Sequence, residues 1–307
     1  MTSDFERNGG GDRAKWTAMH ERLRSLHPDL LLRQELVGCA AAGRESELWY
    51  DSEEMLGMRG WLGPGPGATA LYISDAFRPV RNWANEVGLG LWELPPTVLS
   101  VILDGTTVPI VCGSVHLAYD SAPLRELESA WLTRLADKWR HIDGYNDQTQ
   151  LPALIGGDFN SDPVPGPDGD TAVPKLPLIR DMPHRAHRSR PGTGRQRVID
   201  TVADENLHTA GLFDTARHLA GVCGKPDVLA PTIAASPTHG PARRIDRIYL
   251  SAALTPAVEN VEVIDMTGLS DHHALRVTLQ RDTLHDLLSH WPVEHAAATS
   301  RMTDALP

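Results

Sequence analysis

The chain has 307 residues, 41% of them apolar and 22% charged, which fits a folded globular protein and excludes a disordered one. No stretch approaches the ~18 to 20 consecutive apolar residues of a membrane-spanning helix, and residues 1–11 are polar and Gly-rich with no apolar run of signal-peptide type, so a cytoplasmic protein with no membrane partner is expected. The formal net charge of −11 weighs against a protein that grips long duplex DNA, because such proteins draw much of their affinity from Lys and Arg displacing counterions.

In chain order, the first predicted element is an amphipathic helix over residues 12–26, where Trp16, Met19, Leu23 and Leu26 recur at three- and four-residue spacing. Pro28 ends it, and residues 29–32 read as a short buried strand. Further apolar runs predict strands over residues 69–73, 98–103, 108–115, 151–155, 244–250, 258–264 and 274–279. A second helix is predicted over about residues 122–140, N-capped by Ser121, with Leu124, Leu127, Trp131, Leu135 and Trp139 on one face. Two irregular stretches interrupt the pattern: residues 161–174, rich in Pro, Gly and Asp, and residues 182–197, which carry His184, Arg185, His187, Arg188, Arg190, Arg195 and Arg197. Long loops of this kind are usually functional or mobile. No repeat or linker separates two domains, so residues 1–282 form one domain and 283–307 a tail with a short helix. Cys39, Cys112 and Cys223 are odd in number and far apart, which suggests neither a disulfide framework nor a zinc site.

Acidic, amide and histidine residues stand where predicted strands run out: Glu35, His116, Asp158 with Asn160, Asp246, and Asp271 with His272. Singly each has an ordinary reading, since Glu after a strand is commonly solvated and Gly-Asp-x-Asn makes turns. Asp246 is more telling, because a carboxylate in an otherwise apolar strand is costly unless paired or coordinated.

Taken in order, the Gln34-Glu35, Asp158-Phe159-Asn160 and Ser270-Asp271-His272 elements resemble the successive motifs of the endonuclease/exonuclease/phosphatase superfamily, over about residues 4–280. The resemblance implies a four-layer α/β sandwich of two mixed β-sheets flanked by helices, with the site at one end of the sheets. It implies hydrolysis of a phosphomonoester or phosphodiester with Mg²⁺ (or Mn²⁺), an ion that takes oxygen ligands and keeps several waters. Glu35 is then the principal metal ligand, with Asp4 at the position of the family's Asn and Asp271 supporting the metal side. Asn8 is the alternative to Asp4. His272 acts as general base or phosphate-stabilising group, oriented by Asp246. Asp158 orients or deprotonates the attacking water, Asn160 fixes Asp158 and a phosphate oxygen, and His116 donates to the phosphoryl or leaving oxygen.

The chain departs from the family at three places. Only three residues precede Asp4, so the first strand is short. His116 stands where abasic-site endonucleases carry Tyr, which argues against that activity. The Arg-Glu-Pro segment of deoxyribonuclease I-like enzymes has its nearest equivalent in residues 92–97, with Glu93. The expected substrate is therefore a phosphorylated small molecule or short nucleic acid, with Arg185, Arg188 and Arg190 of the basic loop, and Arg33 beside Glu35, as substrate-binding candidates. A DNA or RNA endonuclease is the second reading. A repurposed, catalytically silent ligand-binding member is the third.

Overall fold

Alternation along the strands decides which side chains reach the middle of this protein. In a computed structural model describing residues 1–41, 44–65, 67–141, 148–166, 170 and 172–292, two six-stranded sheets pack face to face. The strands are β1 Thr2–Asp4, β2 Leu30–Gln34, β3 Arg59–Leu62, β4 Ala70–Ile73, β5 Phe77–Asn82, β6 Thr97–Leu103, β7 Ile110–His116, β8 Ala153–Asp158, β9 Leu212–Asp214, β10 Asp246–Ser251, β11 Val258–Ile264 and β12 Ala274–Leu279. The first sheet runs β11-β12-β1-β2-β4-β3 and the second β9-β10-β8-β7-β6-β5. Each has one parallel pair at its centre, β1 with β2 and β7 with β8, and antiparallel neighbours outside it. The fold is the expected α/β sandwich of two mixed sheets flanked by helices.

In β2, Leu30 and Leu32 face the second sheet and join the central core, while Leu31 faces outward against Trp16, Met19 and Leu23 of α1 (Arg13–Ser25) and Trp49 of α2 (Glu47–Leu56). The sheets approach closely because Gly156 leaves room: a Cβ there would lie 2.7 Å from Leu32 Cδ1 and 2.8 Å from Ile248 Cγ1. The outer face of the second sheet carries α3 (Ala122–Leu132), α5 (Val202–Thr209) and α6 (Thr215–Cys223), and α7 (Arg281–Ser289) buries Leu284 and Leu288 in the central core. The expected tail thus begins within α7, and residues 293–307 lie outside the described residues.

The second predicted helix is shorter than expected and turned on its axis. It stops at Leu132, continues as a 3-10 turn over Thr133–Asp137, and gives way to a strand, Trp139–His141, paired with Gln148–Gln150. The buried face holds Ala122, Arg125, Glu128, Ser129 and Leu132, while Leu127 is 57% exposed. Buried hydrogen bonds explain the rotation: Arg125 Nε donates to Asp200 at 2.7 Å, and Glu128 accepts from the Ala118 amide at 2.8 Å. The basic loop is ordered into α4 (Met182–His187) and a hairpin of Ser189–Pro191 with Arg197–Ile199. Of the Pro- and Gly-rich stretch 161–174, residues 167–169 and 171 lie outside the described residues.

Candidate active site

The site residues converge because of strand direction and parity. Asp4, Gln34, His116 and Asp158 end the parallel strands β1, β2, β7 and β8, and Asp246 opens β10, which runs antiparallel to β8 with Asp246 opposite Asp158. All five lie at one pole of the sandwich. Thr2 meets Gln34 (3.1 Å) and Gln34 meets Ser114 across the sheets (2.9 Å), so these residues point inward. Two residues on along their strands, Asp4 and His116 therefore point inward as well. Gly156, whose Cβ position faces Leu32, gives Asp158 the same inward parity, and Asp246, paired with Asp158 across β8 and β10, shares it.

His116 Nε2 lies at the centre, 3.4 Å from Glu35, 3.7 Å from Asp4 and 3.9 Å from Asp158. Two groups of ligand-type atoms each lie within 4.8 Å of one another: Asp4, Glu35 and His116, and Asp4, Asp158 and His272. His272 Nδ1 lies 2.9 and 3.1 Å from the two Asp246 oxygens, which fixes that nitrogen as the donor to an ionised Asp246 and frees the other for the cleft. Thr232 Oγ1 accepts from the Asp246 amide (3.0 Å) and Ser270 Oγ ties the Asp4 carbonyl (3.0 Å) to the His272 loop. Glu35 and Asn160 are held in the left-handed region, at φ 57° and 49°; Asn tolerates it, but for Glu35 it costs ~1–2 kcal/mol, and such strain concentrates at functional sites. Glu35 is fixed by the Arg7 amide (2.6 Å).

Electrostatics follow from burial and crowding. Burial opposes ionisation of Asp4, and Glu35 adds to it, so its carboxyl is pushed well above the usual range. Burial also opposes Glu35, but its hydrogen bond and charge contact with His116 and the Arg7 amide hold it below that range. Burial would lower His116, yet Glu35, Asp4 and Asp158 outweigh it and push the imidazole up to about 9. His272 is raised in the same way, burial being outweighed by Asp246, Asp4 and Asp158.

Other expected residues fall elsewhere. Asp271 is exposed, its carboxylate 3.4 Å from Ser270 Oγ, and belongs to neither ligand group; it lies in a bend ahead of the last strand. Arg33 does not face the site: its parity sends it to the outer layer, 3.4 Å from His20 and over the Phe5 ring, with no exposed surface. Asn8 bonds the Val37 carbonyl (3.2 Å) and Cys39 instead of entering the cluster. Asn160 takes its fixed geometry from the Leu117 carbonyl (2.9 Å) and from Arg188 (2.6 Å), while its amide holds Asp158 (2.7 Å). Arg185 is turned to the Ile179 carbonyl (2.8 Å) and Arg190 to Glu205 (3.4 Å), so of the three loop arginines Arg188 alone contacts a site residue. No hydrogen bond joins Glu93 to His116; burial and nearby Asp120 raise its carboxyl. Thr232 was not legible as a site residue, since it sits at no telling spacing, and Ser270 was read only as part of the Ser270-Asp271-His272 motif, without a role of its own. A cavity of about 310 Å³, lined by Leu30, Leu103, Ile110, Leu154 and Leu279, opens at the opposite pole and takes no part in this cluster.

Two mixed sheets with acidic and histidine residues gathered at one pole define a deoxyribonuclease I-like α/β sandwich. The chain belongs to the Endonuclease/Exonuclease/phosphatase family, whose model matches residues 8–272, a family of phosphoester hydrolases. Solved structures share the fold. D. rerio TDP2 complexed with a single-strand DNA product is similar at TM-score 0.55 and 12% identity, over 90% of this chain and 96% of that one. The 3′ phosphatase NExo from Neisseria, bound to a product DNA hairpin, gives TM-score 0.53 and 16% identity over 91% and 97%. An AP endonuclease from Archaeoglobus fulgidus gives 0.52 and 14% over 91% and 97%. No curated protein is a significant match to the chain.

Proposed function

We propose that this protein is a divalent-metal-dependent hydrolase of a phosphorylated small molecule or short nucleic acid, using Mg²⁺ (or Mn²⁺). The observation that carries this reading is the Asp4 carboxylate. Its Oδ2 is buried with no hydrogen-bond partner among the described residues, amid Glu35, Asp158 and two imidazoles. A buried carboxylate in acidic company is costly unless coordinated, and carboxylate oxygens are the donors a hard divalent cation prefers. Asp4 and Glu35 are the residues that hold the ion, with Asp271 outside that set. Bound there, the ion supplies positive charge against the phosphoryl oxygens.

The remaining roles belong to the chain's own residues. Asp158, with one oxygen held by the Asn160 amide, presents the other to a water and orients it or takes its proton. His272, held by Asp246, stabilises charge that builds on the phosphoryl group. His116, kept protonated by its three carboxylate neighbours, donates to the phosphoryl or leaving oxygen. Asn160 acts through Asp158, and Arg188 through Asn160.

The test is a panel of bis-p-nitrophenyl phosphate, p-nitrophenyl phosphate and plasmid DNA, with Mg²⁺ and with EDTA. Turnover of a small ester that EDTA abolishes and Mg²⁺ restores is the expected result. Absence of turnover of every member, or turnover indifferent to EDTA, defeats the proposal. The nuclease reading draws support from TDP2 and NExo, both solved with DNA products; plasmid nicking faster than ester turnover would promote it.

A further inference from the structure

Beside the reaction centre, α4 and the segment 232–243 gather cationic and imidazole groups that the protein itself leaves undersupplied with acceptors. Arg188 and Arg243 are 5% and 0% exposed. Arg188 uses Nη1 on the Asn160 carbonyl and side chain, yet its buried Nε has no partner among the described residues. Arg243 meets Asp162 through Nη1 at 3.4 Å, and its buried Nε and Nη2 have none. The His184 and His239 rings, both half-buried, lie 4.5 Å apart at 76°. His184 Nδ1 is taken by Asp181 (2.9 Å), and its other nitrogen and both of His239 have no hydrogen-bond partner among the described residues.

These groups adjoin the site. Ile233 bridges to His272 on one side and to Arg243 on the other, and Arg188 holds Asn160. The acidic groups within reach are Asp162 and Asp158 for Arg188, and Asp271 for His239. They do not offset the crowding: burial and then Arg243 push Arg188 down to about 9, and burial, His184, Arg188 and Arg243 push His239 down to about 4. Buried charge short of acceptors is costly, and guanidinium forks match phosphate oxygens.

We propose that Arg188, Arg243, His184 and His239 form a second anion subsite that takes a phosphate monoester group of the substrate other than the one hydrolysed. Its consequence for turnover rests on the hydrolase reading; its anion binding does not. The shared chemistry is a terminal phosphate dianion, carried either by an oligonucleotide end or by a small bisphosphate.

Two measurements test it separately. Full-length protein stripped with EDTA is titrated with inorganic phosphate by calorimetry, beside a His184→Ala/His239→Ala double variant and Arg188→Met. The histidines are partly exposed, and a thermal melt checks that the double variant folds. Binding in the parent, weakened on the order of ten-fold or more in either variant, is expected. With Mg²⁺, KM is then compared for a thymidine dinucleotide with and without a terminal phosphate, and for a small phosphate diester with and without one. The added phosphate lowers KM about ten-fold in at least one arm, and the double variant removes that difference; the responsive arm identifies the source. No phosphate binding together with equal KM values overturns the subsite even in an active hydrolase. Anion binding lost in the variants, with no ester turned over, keeps the subsite and defeats the hydrolase reading.

Discussion

Asp246 and His272 come from segments 26 residues apart yet form a hydrogen-bonded pair, and what the pair contributes is orientation. Asp246→Asn keeps the shape of the side chain but removes the charge that fixes the imidazole. Turnover of a small phosphoester is expected to fall by roughly 10² or more with the melting temperature little changed; steady-state kinetics beside a thermal melt check this, and undiminished turnover would make Asp246 structural. Glu128 behaves differently. Burial raises its carboxyl from 4.5 to about 7, against the Ala118 amide, His116 and Arg125, which lower it. The folded state thus binds this proton more tightly than the unfolded chain does. Stability from Glu128 is full below pH 4.5, declines as pH rises, and is gone above about 7. Glu128→Gln should flatten that slope and stabilise the protein near neutral pH by about 3 kcal/mol at most. Chemical denaturation across this range measures it, and an unchanged slope would exclude Glu128 as its source.

At the scale of elements, parity was readable where strands were apolar and clear. The expected strands at residues 98–103, 258–264 and 274–279 match β6, β11 and β12 closely. Strand ends carrying Glu35, His116, Asp158 and Asp246 marked the pole where the site forms. Short or polar strands such as β3, β5 and β9 gave no alternating signal, and the α3 face was misjudged because polar partners, not Leu spacing, decide its orientation. Gly157 shows how little slack the central strands have. It adopts φ 154°, and a Cβ there would sit 1.8 Å from the Val115 carbonyl oxygen of β7. Gly157→Ala must separate β8 from β7 and is expected to cost more than about 4 kcal/mol. Urea denaturation reads this directly, and a loss under 1 kcal/mol would mean that the strands separate easily.

Across the whole molecule, several arginines that a count assigns to the surface are interior. Arg33, Arg125, Arg243, Arg244 and Arg247 are essentially unexposed, and Arg125 and Arg244 are paired with Asp200 and Asp214. With a net charge of −11, long duplex DNA should bind weakly and lose affinity steeply with added salt. Fluorescence anisotropy at low and physiological salt tests this; tight binding at physiological salt would reverse the substrate ranking. Among the described residues, no helix is long and apolar enough to cross a membrane.

Sequence by itself determined the family resemblance, the alternation of apolar strands and the set of residues at their ends, because these are local patterns written in side-chain type and spacing. Tertiary structure decided which of those residues meet. Asp4 entered the cluster and Asn8 did not, Arg33 went to the outer layer, Asp271 pointed to solvent, and Arg188 alone of its loop reached Asn160. The reason is physical: direction and parity are fixed along one strand, but the partner across a sheet or loop is fixed by packing between distant segments. Arg243 and His239 show the same limit, since nothing in their spacing foretold that they would lie beside Arg188.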